Sequence, residues 1–302
     1  MIARVGLIQI DAGDDIAANR RVALDLAERA LAAGARLVAF PETFLYRGPT
    51  AGHRASAGPV PGPLTEPFAA LARDAAAWLL LGSVAEVSDD PARPYITSVL
   101  LAPDGSVAAT YRKIHLFDVA VDAGPSAHES SRATPGDRAV VADLPLADLA
   151  ADGRVAGGSS GAPTDAVHAA GPTLRLGLTV CYDLRFPELY RALALAGAEV
   201  LCVPADFTER TGRDHWEPLL RARAIENGAY VIAPAQCGTP PAGNAAYGHS
   251  LIVDPWGIVV AQASDGPGVV VTEIDPARVA AARRQIPALM NRRPEAYLVR
   301  GA

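Results

Sequence analysis

Along the chain, short apolar runs alternate with longer stretches whose apolar residues recur at helical spacing. Alternation over residues 5–10 predicts a first strand. Asp14 or Asp15 can cap a helix over 16–33, with Ile16, Ala23, Leu26, Ala30 and Leu31 near one face and Gly34 at its stop. Residues 36–40 predict a strand that runs straight into Pro41-Glu42. A second helix follows Pro67, with Phe68, Leu71, Ala72, Ala75 and Trp78 on one stripe. Strands over 79–87, 96–102 and 107–112 come next, the last two joined through Pro103-Asp104-Gly105, a hairpin signal. Strand 174–180 ends at Cys181. Pro187 opens a helix that continues over 189–196, and strand 200–203, helix 216–226 and strand 230–235 follow. Residues 250–253 and 258–261 form a second hairpin, 269–274 the last strand, and Asp275-Pro276 opens a final helix. The alternation predicts an α/β protein with a layered sheet core. No internal repeat is visible. The stretch 149–171 crowds Gly, Ser, Ala and Pro without periodicity and predicts a surface excursion. No linker divides the chain, so residues 1–302 read as one domain.

Composition narrows the class. With 302 residues, 50% of them hydrophobic and 20% charged, the chain is not intrinsically disordered and can build a core without disulfide or metal staples. The net charge of -6 gives no basic footprint for nucleic acid and argues against an anionic membrane surface as partner. The best apolar run, 78–82, is of strand length, far short of the roughly 20 residues of a spanning helix. The opening residues read as a strand, not a signal peptide. Three cysteines, Cys181, Cys202 and Cys237, are too few for a disulfide framework and read as reduced thiols of a cytoplasmic protein. The six histidines show no paired metal spacing, and the sequence implies no metal and no organic cofactor.

Candidate chemistry sits at three strand ends: Glu42 after 37–41, Lys113 after 109–112, and Cys181 after 176–180. Layered α/β proteins assemble sites at such ends, because a rigid sheet aims several of them at one cleft. Taken singly, Glu42 and Lys113 read as solvated charges and Cys181 as a small buried hydrophobe. As a set they supply a base, a cation and a nucleophile. Phe40-Pro41-Glu42-Thr43-Phe44, Tyr111-Arg112-Lys113-Ile114-His115-Leu116 and Cys181-Tyr182-Asp183-Leu184-Arg185-Phe186-Pro187-Glu188 resemble the Glu, Lys and Cys motifs of the nitrilase superfamily of carbon–nitrogen hydrolases. His128-Glu129-Ser130, His215-Trp216-Glu217, Ala235-Gln236-Cys237-Gly238 and Tyr247-Gly248-His249-Ser250 are similar to later blocks of its deaminated glutathione amidase and omega-amidase branch. The resemblance spans nearly the whole chain.

That resemblance implies a four-layer α-β-β-α sandwich. It also implies a cysteine amidase that hydrolyses a small carboxylate-bearing carboxamide to the acid and ammonia. Cys181 would be the nucleophile and Glu42 the proton shuttle. Lys113 and the backbone N–H of Tyr182 would hold the oxyanion, and Glu129 would hold Lys113 or the substrate amide. Arg185 could pair with a substrate carboxylate or make a salt bridge with Asp183 or Glu188. Phe207 and Thr208 resemble pocket-lining positions. Two features depart from the branch. Asp206 stands where the family carries a small residue, and would repel an anionic substrate unless Arg185 or Arg210 neutralises it. The excursion 149–171 is also longer. The expected partners are a small amide substrate and a second copy in a homodimer. Alternatives are a nitrilase or another aliphatic amidase, a Cys181 protease-like site with His115 or His215, and a silent binding protein of the same fold. Cys202 reads as core and Cys237 has no assigned role.

Overall fold

The structure, a computed structural model, describes residues 2–120, 126–150, 171–241 and 243–297. The first half builds β1 (Ala3–Gln9), α1 (Ile16–Ala32), β2 (Leu37–Ala39), α2 (Glu66–Ala75), β3 (Trp78–Glu86), β4 (Tyr95–Leu101) and β5 (Val107–Arg112). The second builds β6 (Val140–Pro145), β7 (Thr173–Leu178), α3 (Pro187–Leu195), β8 (Val200–Cys202), α4 (Glu209–Asn227) and β9 (Tyr230–Ala233). It ends with β10 (Leu251–Val253), β11 (Val259–Gln262), β12 (Gly268–Ile274) and α5 (Pro276–Gln285).

Twelve strands form two six-stranded sheets, in the orders β12-β1-β2-β3-β4-β5 and β11-β10-β9-β8-β7-β6. In the first, β1, β2 and β3 are parallel and the flanking strands antiparallel; in the second, β7, β8 and β9 are parallel with the same flanking pattern. The halves therefore repeat one strand plan, although the sequence shows no repeat. The first sheet is completed by the last strand, with Ala3 opposite Ile274.

Alternation along the strands sorts the layers. Val5, Leu7, Leu37, Ala39 and Leu80 join Leu174, Leu176 and Leu178 in one buried cluster between the sheets. Their neighbours Ile8, Val38, Leu79 and Leu81 pack instead with Ala23, Leu26, Ala30, Phe68 and Ala72 of α1 and α2. On the far side, Leu189, Leu193, Trp216 and Leu220 of α3 and α4 cover the second sheet. The result is the expected α-β-β-α sandwich. Asp15 is the residue that caps α1, accepting from the amides of Ala17 and Ala18.

Three local expectations need correction. Trp78 starts β3 rather than extending the stripe of α2, which ends at Ala75 with Ala76 in a left-handed cap. Helix α4 starts at Glu209, not at 216, because a polar first half and the internal Pro218 conceal its early turns. Strand β6 was not expected at all; only alternate residues are buried, and its pairing with β7 defines it. Of the excursion 149–171, residues 151–170 lie outside the described residues. Among the described residues no helix is long and apolar enough to cross a membrane.

Candidate active site

Each of the three strand ends delivers its side chain to one cleft of about 390 Å³, a size suited to a small molecule. Glu42 follows β2, and the chain then turns through Thr43 in a left-handed conformation, φ 56°. Thr43 N–H donates to Ser83 Oγ at 3.0 Å, pinning that turn to β3. Cys181 follows β7 and is itself left-handed, φ 48°, with its N–H on the Pro204 carbonyl at 2.9 Å. Such a conformation is costly for a non-glycine residue and is held only by a structure that over-determines it. Here Asp183 supplies part of that hold. It is fully buried and accepts from Val180 N–H at 2.8 Å, Tyr111 O–H at 2.6 Å and His115 N–H at 3.1 Å, with His115 Nδ1 at 2.7 Å. One carboxylate thus ties the turn that carries Cys181 to the strand end that carries Lys113.

Lys113 is 1% exposed and Glu42 3%. The ammonium donates to Glu42 Oε1 at 2.8 Å and lies 2.8 Å from Glu129 Oε2. The same Glu129 oxygen also accepts from Phe117 N–H at 2.8 Å, and Glu42 Oε2 accepts from Asp206 N–H at 2.9 Å. Gln236, buried, donates from Nε2 to the Glu42 carbonyl at 3.0 Å. Tyr182 N–H belongs to the leading turn of the 3₁₀ helix Cys181–Arg185, ahead of any bond that turn makes with itself.

The environment separates the two carboxyls. Burial pushes Glu42 up; the Lys113 charge opposes this, Glu129 adds to it, and the net shift is upward. Burial would raise Glu129 too, but the Lys113 charge and hydrogen bond, Phe117 N–H and Arg132 outweigh it and hold Glu129 below the ordinary value. Burial would lower Lys113, yet Glu129 and Glu42 keep its ammonium well above the ordinary range. The Cys181 thiol is pushed up by burial and by the neighbouring Glu42 carboxylate. The site therefore holds a fixed cation, a fixed anion, and one thiol–carboxyl pair between which a proton can move.

The remaining expected residues divide. Arg185, Asp206, Phe207, Thr208 and Tyr182 all line the cleft. The contacts of Arg185 are His215 Nδ1 at 3.4 Å and the Phe207 ring at 5.3 Å, rather than Asp183 or Glu188. Asp206 is countered by Arg47, whose Nε donates to Oδ2 at 3.0 Å, a partner the sequence reading did not name. The protease-like pairing is not formed: His115 faces Asp183 and stacks on Phe186 at 3.6 Å, while His215 is exposed beside Arg185. Cys202 and Cys237 are buried and free, and neither lines the cleft. Among the described residues no group of three His, Cys, Asp or Glu side chains is arranged to hold a metal ion.

The Carbon-nitrogen hydrolase family matches residues 4–284, and the chain belongs to that family: it is a hydrolase acting on carbon–nitrogen bonds other than peptide bonds. It is 39% identical to the deaminated glutathione amidase of Homo sapiens over 97% of this chain and 83% of that one. It is 32% identical to the omega-amidase NIT2 of Mus musculus over 98% and 97%. Among solved structures, the C. elegans NitFhit protein superposes with a TM-score of 0.84 at 34% identity, covering 98% of this chain and 66% of that one. An amidase of Nesterenkonia sp. AN1, seen with acrylamide added at its active-site cysteine, superposes at 0.73 with 26% identity, covering 97% and 98%.

Proposed function

We propose that the chain is a cysteine amidase that cleaves a small carboxylate-bearing carboxamide, of the deaminated-glutathione or omega-amide type, through a thioester on Cys181. The observation that carries this reading is the convergence of the Cys181 thiol, the raised Glu42 carboxyl and the Lys113 ammonium on one cleft. A carboxamide is a poor electrophile and its nitrogen a poor leaving group unless protonated, so the reaction needs a strong nucleophile and a proton carrier. Glu42 takes the thiol proton as the sulfur attacks the carbonyl carbon. The developing oxyanion is met by the Lys113 ammonium and Tyr182 N–H. Glu42 then gives its proton to the departing nitrogen, ammonia leaves from a primary amide or the amine from an N-substituted one, and Glu42 activates a water that hydrolyses the thioester to the acid. Glu129 stays ionised and keeps Lys113 charged and aimed.

Arg185 supports the preference for a carboxylate. Its guanidinium faces a ring nitrogen and an aromatic face, and among the described residues no carboxylate is in contact with it, which suits it to pair bidentately with a substrate anion. The test is a panel of amides with and without a distal carboxylate, read by ammonia and acid release. Arg185→Ala should lose about ten- to a hundredfold in kcat/KM on the carboxylate-bearing members only, on the scale of a charge-assisted hydrogen bond. An equal loss on both sets would remove the assignment.

The same reading carries a homodimer, supported by Ile225, Trp256 and Ile258, apolar side chains left more than half exposed at 56, 51 and 53%. It also carries a cytoplasmic location, where a catalytic thiol stays reduced.

A further inference from the structure

Asp206 brings a carboxylate to the cleft that the chemistry above does not use. Its backbone N–H holds Glu42 Oε2 at 2.9 Å, which fixes the residue beside the base. Its charge reaches the sulfur: after burial, Glu42 and the opposing Lys113, Asp206 adds to the upward push on the Cys181 thiol. Only one of its oxygens is engaged. Oδ2 accepts from Arg47 Nε at 3.0 Å and lies 3.3 Å from Thr43 Oγ1. Oδ1 has no hydrogen-bond partner among the described residues, and the side chain remains 24% exposed on the cleft wall.

Arg47 counters this charge but divides its own between two carboxylates. It is 4% exposed, donates from Nη1 to the Cys237 carbonyl at 2.9 Å and from Nη2 to the Asn244 carbonyl at 3.2 Å, and has Asp11 Oδ1 at 3.5 Å. One guanidinium serves two carboxylates, and its donors are taken up by protein acceptors. This wall of the cleft thus presents an anion with a vacant acceptor oxygen, while Arg185 elsewhere in the cleft presents a cation with no carboxylate among its contacts.

Resting on the amidase reading, we propose that Asp206 is a specificity-determining residue. It selects, among carboxylate-bearing amides, those with a hydroxyl or ammonium group between the scissile amide and the carboxylate. Within the proposed substrate class it disfavours those with a keto oxygen there, so the 2-oxo amides of the deaminated-glutathione type are the poor members and the hydroxy and amino amides the good ones. A hydroxyl or ammonium donates to Oδ1, and desolvation of the carboxylate is then compensated. A keto oxygen brings lone pairs against a carboxylate in a confined site, so both acceptors lose water and gain nothing. A hydrogen bond to a charged group is worth roughly 1.5–3 kcal/mol, or about ten- to a hundredfold in discrimination.

The experiment compares four monoamides of one chain length that share a terminal carboxylate: succinamate and its hydroxy, amino and oxo derivatives. Acid and ammonia release are measured with wild type and with Asp206→Asn, which keeps the backbone N–H to Glu42. Wild type should turn over the hydroxy and amino compounds with kcat/KM at least tenfold above the oxo compound, and Asp206→Asn should compress that ratio to within about threefold. A wild-type preference for the oxo compound, or a ratio untouched by Asp206→Asn, overturns the proposal. If release of Arg47 unfolds the variant, the wild-type ratio alone decides. Turnover of plain succinamate with a flat series sinks this proposal and leaves the amidase reading standing. Absence of turnover throughout, with no acyl group on Cys181, sinks both.

Discussion

Lys113 Nζ donates to Glu42 Oε1 at 2.8 Å, and both side chains are buried. A cation this close should make Glu42 a strong acid, yet its carboxyl is shifted upward. Burial accounts for the sign, and Glu129 reinforces it by sharing the same ammonium at 2.8 Å. Two carboxyls on one lysine thus take different tasks: Glu42 can exchange a proton, and Glu129 remains an anion.

That division predicts two pH effects. For activity, Glu42 must be ionised to accept the thiol proton, so kcat/KM should rise along an acid limb whose midpoint lies above the ordinary 4.5. A midpoint at or below 4.5 would contradict the assignment. For stability the sign comes from Glu129, whose folded value lies below the ordinary 4.5. The unfolded chain then binds more protons than the folded one, so this stabilisation is present above 4.5 and is lost as pH falls through the folded value. Denaturant melts below pH 4.5 should show the loss in wild type, and Glu129→Gln should lack that part of the dependence.

Gly82 controls the placement of Glu42. A Cβ at this position would stand 2.1 Å from the Phe40 carbonyl oxygen and 2.4 Å from backbone atoms of Pro41. Those atoms are main chain and cannot swing aside. Gly82→Ala is therefore expected to displace the Glu42 turn and cut kcat by about a hundredfold, as misplacement of a reacting group by an ångström does. Unchanged kcat in a folded variant would show that the close approach does not position the base.

Asp183 accepts from Tyr111, Val180 and the His115 main chain, and also contacts the His115 ring. Asparagine has one acceptor oxygen where aspartate has two, so Asp183→Asn leaves at least one buried donor facing an amide NH₂. A stability loss of about 1–3 kcal/mol is expected in denaturant melts. Slower alkylation of Cys181 by iodoacetamide should accompany it, since the left-handed turn that presents the thiol loses its anchor. Wild-type stability and alkylation rate would separate Asp183 from the site.

The proposed catalytic residues were legible because each follows an apolar strand within a motif, so local pattern located Glu42, Lys113 and Cys181 at strand ends. Their supports were not. Arg47, Asp183 and Gln236 are buried polar residues whose partners lie far along the chain, as with Arg47 on Asp206 or Gln236 on the Glu42 carbonyl. Nothing in local periodicity marks a polar side chain that tertiary structure will satisfy. Asp206 was the one available signal for Arg47, because a carboxylate at a pocket calls for a cation. The sequence offered several arginines and geometry chose one on the loop that also carries Glu42. The duplicated sheet plan escaped detection for a related reason: strand direction is set by pairing, and β1 pairs with β12 at the opposite end of the chain.

The central claim is a covalent bond to one sulfur. Intact-protein mass spectrometry after brief mixing with a carboxylate-bearing amide, followed by peptide mapping, reads it directly. The account predicts an increase equal to the acyl group on the peptide containing Cys181, its decay as acid appears, and neither adduct nor ammonia with Cys181→Ala. Turnover that persists in Cys181→Ala, or an acyl group found on Cys202 or Cys237 instead, would contradict it.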